Sequence, residues 1–418
     1  MAGSKAVRKA KGLARKAAGR PKREGDPVQG ILAGELKMHD LDASFGPEVA
    51  TQLRRAAAEK ATGTRLRAVA STVIRPDEVQ KNIENFVGAA QVPIGLAGPI
   101  KVEGEHARGA FYLPLATTEG ALVASVNRGC SIASAAGGVR VRILADAMTR
   151  GPAFVCRNVE HLVATRRWVQ EHLEDIRKAA EGTTSHGKLL GISPYAVGRT
   201  LFLRFHFQTG DAMGMNMATL ATEAAAKVIE KGTGARLSAL SGNMCTDKKP
   251  AGINLTEGRG KSVIAEVLLP HKVVKERLHT TADEVADVNT RKNLVGSAKA
   301  GSLGYNAHFA NVLAAVFIAT GQDAAQVVDG SLGFTTAEAD RDGLYFAVSL
   351  PALEVGTLGG GTRFPTQQEC LQLMDCAGAG KSRKFAEIVA AGVLAGELSL
   401  LGAIAAGHLG RAHARLGR

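Results

Sequence analysis

Ten residues, Ser241-Gly242-Asn243-Met244-Cys245-Thr246-Asp247-Lys248-Lys249-Pro250, set two lysines beside an aspartate in a run of turn formers closed by proline. Ser, Gly, Asn, Asp and Pro predict a loop there, and a loop held at both ends aims an ammonium group at a fixed point. A desolvated, fixed lysine stabilises negative charge developing on a carbonyl oxygen. Taken alone, the pair reads as a solvated basic turn. Other groups of complementary chemistry lie elsewhere in the chain. Glu119 stands in Thr-Thr-Glu-Gly at the entrance to a helix of small apolar residues, Asp323 follows Gly321-Gln322, and His413 lies beyond His408. Singly, each has a plainer explanation: a carboxylate favoured by a helix dipole, a capping acid, a solvated terminal histidine. Asp211, ahead of Met213-Gly214-Met215, also reads singly as a cap.

Leu358-Gly359-Gly360-Gly361-Thr362 is a flexible turn able to admit a phosphate or a ring. Two other glycine patterns fall away. Gly378-Ala379-Gly380-Lys381-Ser382 resembles the end of a phosphate-binding loop, but Asp375 stands where its first glycine is needed. No GxGxxG follows a strand, so an ordinary Rossmann site is not expected. The cysteines, Cys130, Cys156, Cys245, Cys370 and Cys376, form no CxxC, and neither a disulfide frame nor a metal site is expected.

The net charge of +13 is uneven: nine basic residues from Lys5 to Arg23 precede the first acid, Glu24. Residues 1–25 therefore read as a disordered basic arm. A nucleic-acid-binding protein is the competing class, but it calls for interleaved aromatics and basic faces, and aromatics make up only 4% of the chain. The smaller excess on the body suits a polyanionic ligand such as a nucleotide cofactor. The arm lacks the apolar core of a signal peptide. Ala386 to Gly407 is interrupted by Glu387 and Glu397 and reads as a buried helix, not a membrane span. A cytoplasmic protein with no membrane contact is the expectation.

The elements that must position these groups follow from periodicity. Gly34 to Thr62 carries Leu36, Leu41, Phe45, Val49 and Leu53 among charges and predicts a small helical domain. Val69 to Ile74 is β-prone, Val92 to Pro99 is too punctuated for helix, and Tyr112 to Leu115 reads as strand. A helix is expected from Ala121 to Ala136 and another from Val163 to Ala179. Leu201 to Gln208 alternates as a strand, and a helix follows through Ala221 to Lys231. Strand Val263 to Leu269, helix Ala307 to Thr320 and a last helix from Phe385 to about Arg415 complete the reading.

Several stretches, in order, carry a family resemblance. They are Glu84-Asn-Phe-Val-Gly88, Pro93-Ile-Gly-Leu-Ala-Gly-Pro99, Leu115-Ala-Thr-Thr-Glu119-Gly, Gly210-Asp-Ala-Met-Gly-Met-Asn-Met217 and Ser241 to Pro250. Glu257-Gly-Arg-Gly-Lys-Ser-Val263, Lys292-Asn-Leu-Val-Gly-Ser297, Tyr305-Asn-Ala-His308, Gly321-Gln-Asp323, Gly356 to Thr362 and Gly407 to His413 continue them. From about residue 80 onward the chain resembles hydroxymethylglutaryl-coenzyme A (HMG-CoA) reductase, in the class I form of eukaryotes and archaea and of the soluble archaeal type. The adjacent Asp247-Lys248-Lys249 and the triple-glycine turn favour that form over the NAD-linked class II reductase.

The resemblance implies an α+β fold. A small helical N-domain (26–80) precedes a large mixed α/β substrate-binding domain (81–150 and 241–418), which carries an inserted ferredoxin-like NADP-binding domain (151–240). It implies reduction of HMG-CoA by two NADPH to mevalonate and CoA. Lys248 matches the residue that stabilises the oxyanion, His413 the one that protonates the departing thiolate, and Glu119 the acid that protonates the aldehyde. Asp323 matches a second carboxylate linking lysine and glutamate. Arg150, Ser241, Lys249 and Lys292 match positions that hold the hydroxymethylglutaryl group, and Asn311 belongs to the catalytic surroundings. Asp211, Met213, Gly214, Met215, Asn216 and Met217 match the cofactor turn, with Gly359, Gly360, Gly361, Thr362 and Arg418 as further cofactor contacts. Ser185-His186-Gly187 lacks the arginine that animal enzymes place near the cofactor's extra phosphate. A homodimer or homotetramer with active sites at the dimer interface is implied, Glu119 and Asp323 coming from one subunit and Lys248 from the other.

Overall fold

The computed structural model describes residues 26–407, so the basic arm, His413 and Arg418 lie outside the described residues. Two compact units follow one another, the first ending at Gln91 and the second beginning at Val92.

The first unit is helical. Helices α1 (Pro27–Leu32), α2 (Leu41–Phe45) and α3 (Pro47–Thr62) close over Ile31, Leu41, Ala50 and Ala57. The chain starts α3 with Pro47 in its first turn and stops it at Gly63, which takes the left-handed conformation. Arg54 is buried but satisfied, paired with Asp42 and donating to Met38 O at 2.7 Å. The β-prone run from Val69 to Ile74 forms no strand. Arg67–Ala70 is a helical turn (α4), and the residues after it are irregular up to α5 (Pro76–Val79). With no strand laid beside it, β propensity has no ladder to express. Glu84 to Gly88 is not a strand either, Asn85 and Gly88 both having positive φ.

The second unit is built on an eleven-stranded mixed sheet. Its main part joins β1 (Ile94–Glu103), β2 (Arg108–Ala116), β3 (Val139–Arg150), β8 (Gly260–Pro270), β9 (Gly304–Tyr305), β10 (Gly333–Asp340) and β11 (Gly343–Leu353). Strand β3 serves two regions: Arg140 to Ala147 pair with β8, whereas Met148, Thr149 and Arg150 pair with β6 (Thr200–Gln208). Beyond that junction runs β4 (Ala153–Val155), α7 (Val159–Glu171), α8 (Leu173–Glu181), β5 (Lys188–Val197), β6, α9 (Met215–Thr233) and β7 (Arg236–Ala239). The strand order β7-β4-β6-β5 on a β-α-β-β-α-β chain is a ferredoxin-like arrangement, as the family resemblance implies. Strand β6 shows why: Leu201, Leu203, Phe205 and Phe207 alternate into a core of their own with Ile176, Ala225 and Ile229. The expected single helix over Val163 to Ala179 is instead α7 and α8. His172 breaks it, its ring stacked on Trp168 and its Nδ1 3.0 Å from the Trp168 carbonyl.

Against the sheet pack α6 (Leu122–Ala135), α12 (Phe309–Thr320) and α14 (Ser382–Ala405), counting α10 (Gly252–Glu257), α11 (Ala282–Val288) and α13 (Pro365–Leu373) in order. Helix α14 is long and apolar enough to cross a membrane, but it runs through the protein core and is buried on nearly all sides. Its two buried acids have partners. Glu387 accepts the N–H groups of Glu105, His106 and Ala107, and Glu397 those of Ala307 and His308 together with the Thr335 hydroxyl. Buried charge is tolerated on such terms and not otherwise. Gly129 of α6 lets that helix touch α14, since an added Cβ would stand 1.8 Å from the Ala395 carbonyl oxygen. The last helix stops at Ala405, ten residues before the expected end, where Gly407 turns left-handed.

Candidate active site

Three non-glycine residues of the lysine loop, Asn243, Thr246 and Lys248, have φ of 64°, 55° and 58°. L-residues avoid this conformation, so the surroundings must impose it, and backbone strain of this kind gathers at functional sites. The anchors are identifiable. Gly242 N–H donates to Gly151 O (2.7 Å), the Thr149 hydroxyl to Cys245 O (3.1 Å), and buried Arg204 to Met244 O (3.0 Å). Lys248 N–H donates to Asp329 Oδ2 at 2.8 Å. From that fixed backbone the Lys248 ammonium reaches Asp323 Oδ2 at 2.7 Å. The other Asp323 oxygen accepts Ala325 N–H and caps the short helix that follows. The hydrogen bond it donates to Asp323 raises the Lys248 pKa against the lesser effect of burial, keeping a half-exposed ammonium charged. Lys249 is exposed and donates to Asp247 O.

Beneath the loop lies a charged cluster that sequence reading missed. Arg259, buried, donates to Asp247 Oδ1 (3.0 Å) and Asp329 Oδ2 (3.2 Å) and is paired with Glu354. It also donates to Met215 Sδ at 2.9 Å and to Gln326 Oε1 at 3.4 Å. The three carboxylates are close enough to suggest a metal site, but the cation among them is the guanidinium. One guanidinium cannot balance three anions, two of them fully buried. Burial pushes the Glu354 carboxyl well up, towards its protonated form, and raises Asp329 as well. Burial also works against ionised Asp247, but hydrogen bonding by Gln326 and the charge of Arg259 outweigh it and leave its pKa low. Arg259 lay inside one of the motifs quoted above, whereas nothing in the local sequence marked Asp329 or Glu354.

Glu119 is exposed at the turn before α6, where Ala121 is left-handed, and its N–H donates to the Thr117 hydroxyl. Its carboxylate accepts from Asn311 Nδ2 at 3.0 Å. Asn311 lies in the first turn of α12 and Asp323 beyond its C-terminus, so most of a helix roughly 18 Å long separates them. Among the described residues no hydrogen bond or ion pair joins Glu119 to Lys248 or Asp323. The chain therefore presents two constellations, Lys248 with Asp323 and Glu119 with Asn311. The sequence expectation placed Lys248 and Asp323 in different subunits; their 2.7 Å contact within one chain corrects that division.

Arg150 closes β3, and its buried Nε has no partner among the described residues. The Ser241 hydroxyl lies 3.2 Å from the Cys245 thiol. Burial raises that thiol's pKa, but Ser241, two backbone N–H groups and Arg150 together hold it below its ordinary value. Lys292 lies in a π-helical stretch, Asn289–Gly296, with its ammonium 3.5 Å from Asn293 Oδ1 and in contact with neither constellation.

The residues expected to hold a dinucleotide converge on the lysine side. Gly214, left-handed, is the N-cap of α9 and makes no side-chain cap, with Met215, Asn216 and Met217 forming the first turn. Asp211 is a brace. Its carboxylate accepts the N–H groups of Gly380 (2.7 Å) and Ser382 (3.0 Å), and its carbonyl those of Thr357 and Leu358. The nest formed by the phosphate-loop-like glycines is thus filled by a carboxylate of the protein itself. Burial raises the Asp211 pKa, but these bonds outweigh it and keep it low. Ala212 pairs with Leu358, and Gly356 admits Met213, whose N would stand 2.6 Å from an added Cβ. Gly359 and Gly360 border open space, while Gly361 packs on Gly321, two residues from Asp323. Thr362 is buried and donates to Gly359 O. Open room beside Gly359 and Gly360 and a helix N-terminus without a side-chain cap fit a dinucleotide phosphate.

A family model described as hydroxymethylglutaryl-coenzyme A reductase matches residues 50–418. The chain is 54% identical over 400 residues to the 3-hydroxy-3-methylglutaryl-coenzyme A reductase of Methanocaldococcus jannaschii, covering 94% of this chain and 99% of that one. To the protein of the same name from Haloferax volcanii it is 53% identical over 393 residues, covering 93% and 98%. A solved class II 3-hydroxy-3-methylglutaryl-CoA reductase from Streptococcus pneumoniae, bound to NADPH, superposes with a TM-score of 0.65 at 19% identity, covering 92% and 97%. At that identity the likeness is one of fold.

Proposed function

The chain belongs to the hydroxymethylglutaryl-coenzyme A reductase family, and from that premise we propose that it reduces HMG-CoA to mevalonate and CoA with two equivalents of NADPH. The observation that carries the reading is the Lys248 ammonium, held by a strained backbone and by Asp323 at 2.7 Å, beside the open glycine turn. Two hydrides supplied by the bound cofactor account for the four-electron change. The protein's own groups do the rest. Lys248 neutralises the oxyanion formed when the thioester carbonyl is reduced. His413 protonates the CoA thiolate as the hemithioacetal collapses, and Glu119 protonates the oxygen in the second reduction. Arg150, Ser241, Lys249 and Lys292 hold the hydroxymethylglutaryl carboxylate and hydroxyl. Met213 to Met217, Gly359 to Thr362 and Arg418 hold the cofactor, with Asp211 bracing their turn.

The division into two constellations supports a composite site. In this reading the Lys248–Asp323 half of one subunit meets the Glu119–Asn311 half of another, giving two sites per dimer. We assign the chain to class I on its Asp247-Lys248-Lys249 and triple-glycine motifs. We also assign residues 26–80, 81–150 with 241–418, and 151–240 as helical, substrate-binding and cofactor-binding domains, and the cytoplasm as its location. The test is loss of reduced-nicotinamide absorbance on mixing the full chain with HMG-CoA, with NADPH and NADH in separate arms. The reading expects turnover with two cofactors consumed per mevalonate, faster with NADPH. No turnover with either cofactor refutes it.

A further inference from the structure

Lys248 is clamped at both ends by one short segment. Asp323 takes its ammonium, and six residues later Asp329 takes its backbone N–H. Between them Gln326 donates to Asp247 Oδ1, fixing the residue before the lysine. We propose that Asp329, held by Arg259 and Asn254, is the positioning residue that sets the left-handed turn at Lys248 and so aims its ammonium.

Asp329 is fully buried and its acceptor capacity is spent on this loop. Oδ2 accepts Lys248 N–H at 2.8 Å and Arg259 at 3.2 Å, while Oδ1 accepts Asn254 Nδ2 at 3.2 Å. Asn254 in turn accepts the hydroxyl of Thr246, the second left-handed residue of the loop, and is bonded by buried Arg204. Arg259 ties the same carboxylate to Asp247 and, through the Met215 sulfur, to the first residue of the helix that opens the cofactor turn. The charged groups around Asp329 are thus Arg259, Asp247 and Glu354 below the loop, with Lys248 and Asp323 above. Every donor aimed at Asp329 is an N–H. A carboxamide in its place would set its own N–H₂ against one of them, so Asp329→Asn preserves shape and volume while releasing part of the loop. A released turn relaxes from its positive φ, and the ammonium leaves Asp323. Misplacement on the scale of an ångström lowers turnover about a hundredfold.

This proposal rests on the reductase reading for its kinetic consequence only, so its first test uses no substrate. Competitive amine labelling of the full chain, followed residue by residue by mass spectrometry across pH, reports each lysine's ionisation. In the wild type, Lys248 should titrate above the ordinary lysine value of 10.5, because Asp323 holds its proton. In Asp329→Asn it should fall back towards that value and label faster at fixed pH, as in Asp323→Asn, while exposed Lys227 stays unchanged. In turnover assays Asp329→Asn should lower kcat about a hundredfold for both HMG-CoA and mevaldehyde, with the cofactor KM nearly constant. Lys248 labelling identical to wild type overturns the proposal whatever the turnover. Altered labelling in an enzyme that never turned over HMG-CoA overturns the reductase reading alone. Should Asp329→Asn fail to fold, amide hydrogen exchange on the wild type decides instead. The Lys248 N–H, in an exposed residue of a loop, must be strongly protected, and exchange at the unprotected rate overturns the proposal.

Discussion

Gly321→Ala should part the turn assigned to the cofactor from Asp323 by a distance the structure fixes. Gly321 has φ of 70°, and an added Cβ would stand 2.4 Å from the backbone C and O of Gly361, where ordinary contact begins near 3.4 Å. The obstacle is backbone, so it cannot swing aside as a side chain would, and the two turns must part by about 1 Å. A left-handed alanine costs about 1–2 kcal/mol. Overpacking of this kind costs about 1–3 kcal/mol more. A total of about 2–5 kcal/mol is survivable for a domain of ordinary stability. Function should suffer more than folding does. Gly321 is two residues from Asp323, and Gly361 lies in the turn assigned to the cofactor, so a 1 Å separation should lower kcat about a hundredfold and raise the cofactor KM. Urea unfolding monitored by circular dichroism gives the first quantity, and initial rates at varied NADPH the second. A folded Gly321→Ala enzyme with wild-type kcat and cofactor KM would show that the Gly321–Gly361 contact does not position the chemistry.

Glu354→Gln should change stability by less than about 1 kcal/mol at neutral pH, because burial already favours the neutral acid at that position. A loss of about 3–5 kcal/mol by urea unfolding would instead identify Glu354 as an ionised partner of Arg259. Asp211→Asn should lower stability at pH 7 by about 1–2 kcal/mol, since charge-assisted bonds from Gly380 and Ser382 are weakened. The folded pKa of Asp211 lies below its ordinary 3.8, so its contribution is fully present above that value and disappears as pH falls through the lower native one. The gap between variant and wild type should therefore close in acid, and a gap independent of pH refutes the assignment.

The sequence disclosed chemistry more readily than it disclosed connections. Lys248, Glu119 and Asp323 stood out because their neighbours were turn formers and caps, and the alternation of β6 marked its buried face residue by residue. Arg259, Asp329 and Glu354 did not, because their burial and mutual contact come from strands and turns up to 95 positions apart in sequence. Local propensity also misled where tertiary structure decided. Val69 to Ile74 has no strand to pair with, and His172 spends its ring and N–H on the Trp168 carbonyl, ending a helix that periodicity alone would continue. Which groups share a chain was the least legible feature. Motif order says nothing about whether Asp323 faces Lys248 or Glu119, and only the span of α12 separates those cases.

That separation is the central claim, and refolded mixtures of inactive variants test it directly. Prepare Glu119→Gln, Lys248→Ala and Asp323→Asn, confirm that each is inactive alone and that refolded wild type regains its activity, then unfold and refold them in equal pairs. With random pairing half the dimers are mixed, and where each mixed dimer keeps one of its two sites the mixture returns about a quarter of wild-type activity. The two half-sites predict about a quarter from Glu119→Gln with Lys248→Ala and from Glu119→Gln with Asp323→Asn. They predict none from Lys248→Ala with Asp323→Asn, because both substitutions strike the same half. Recovery in that last pair, with none from Glu119→Gln and Asp323→Asn, would place Asp323 functionally with Glu119 and contradict the account.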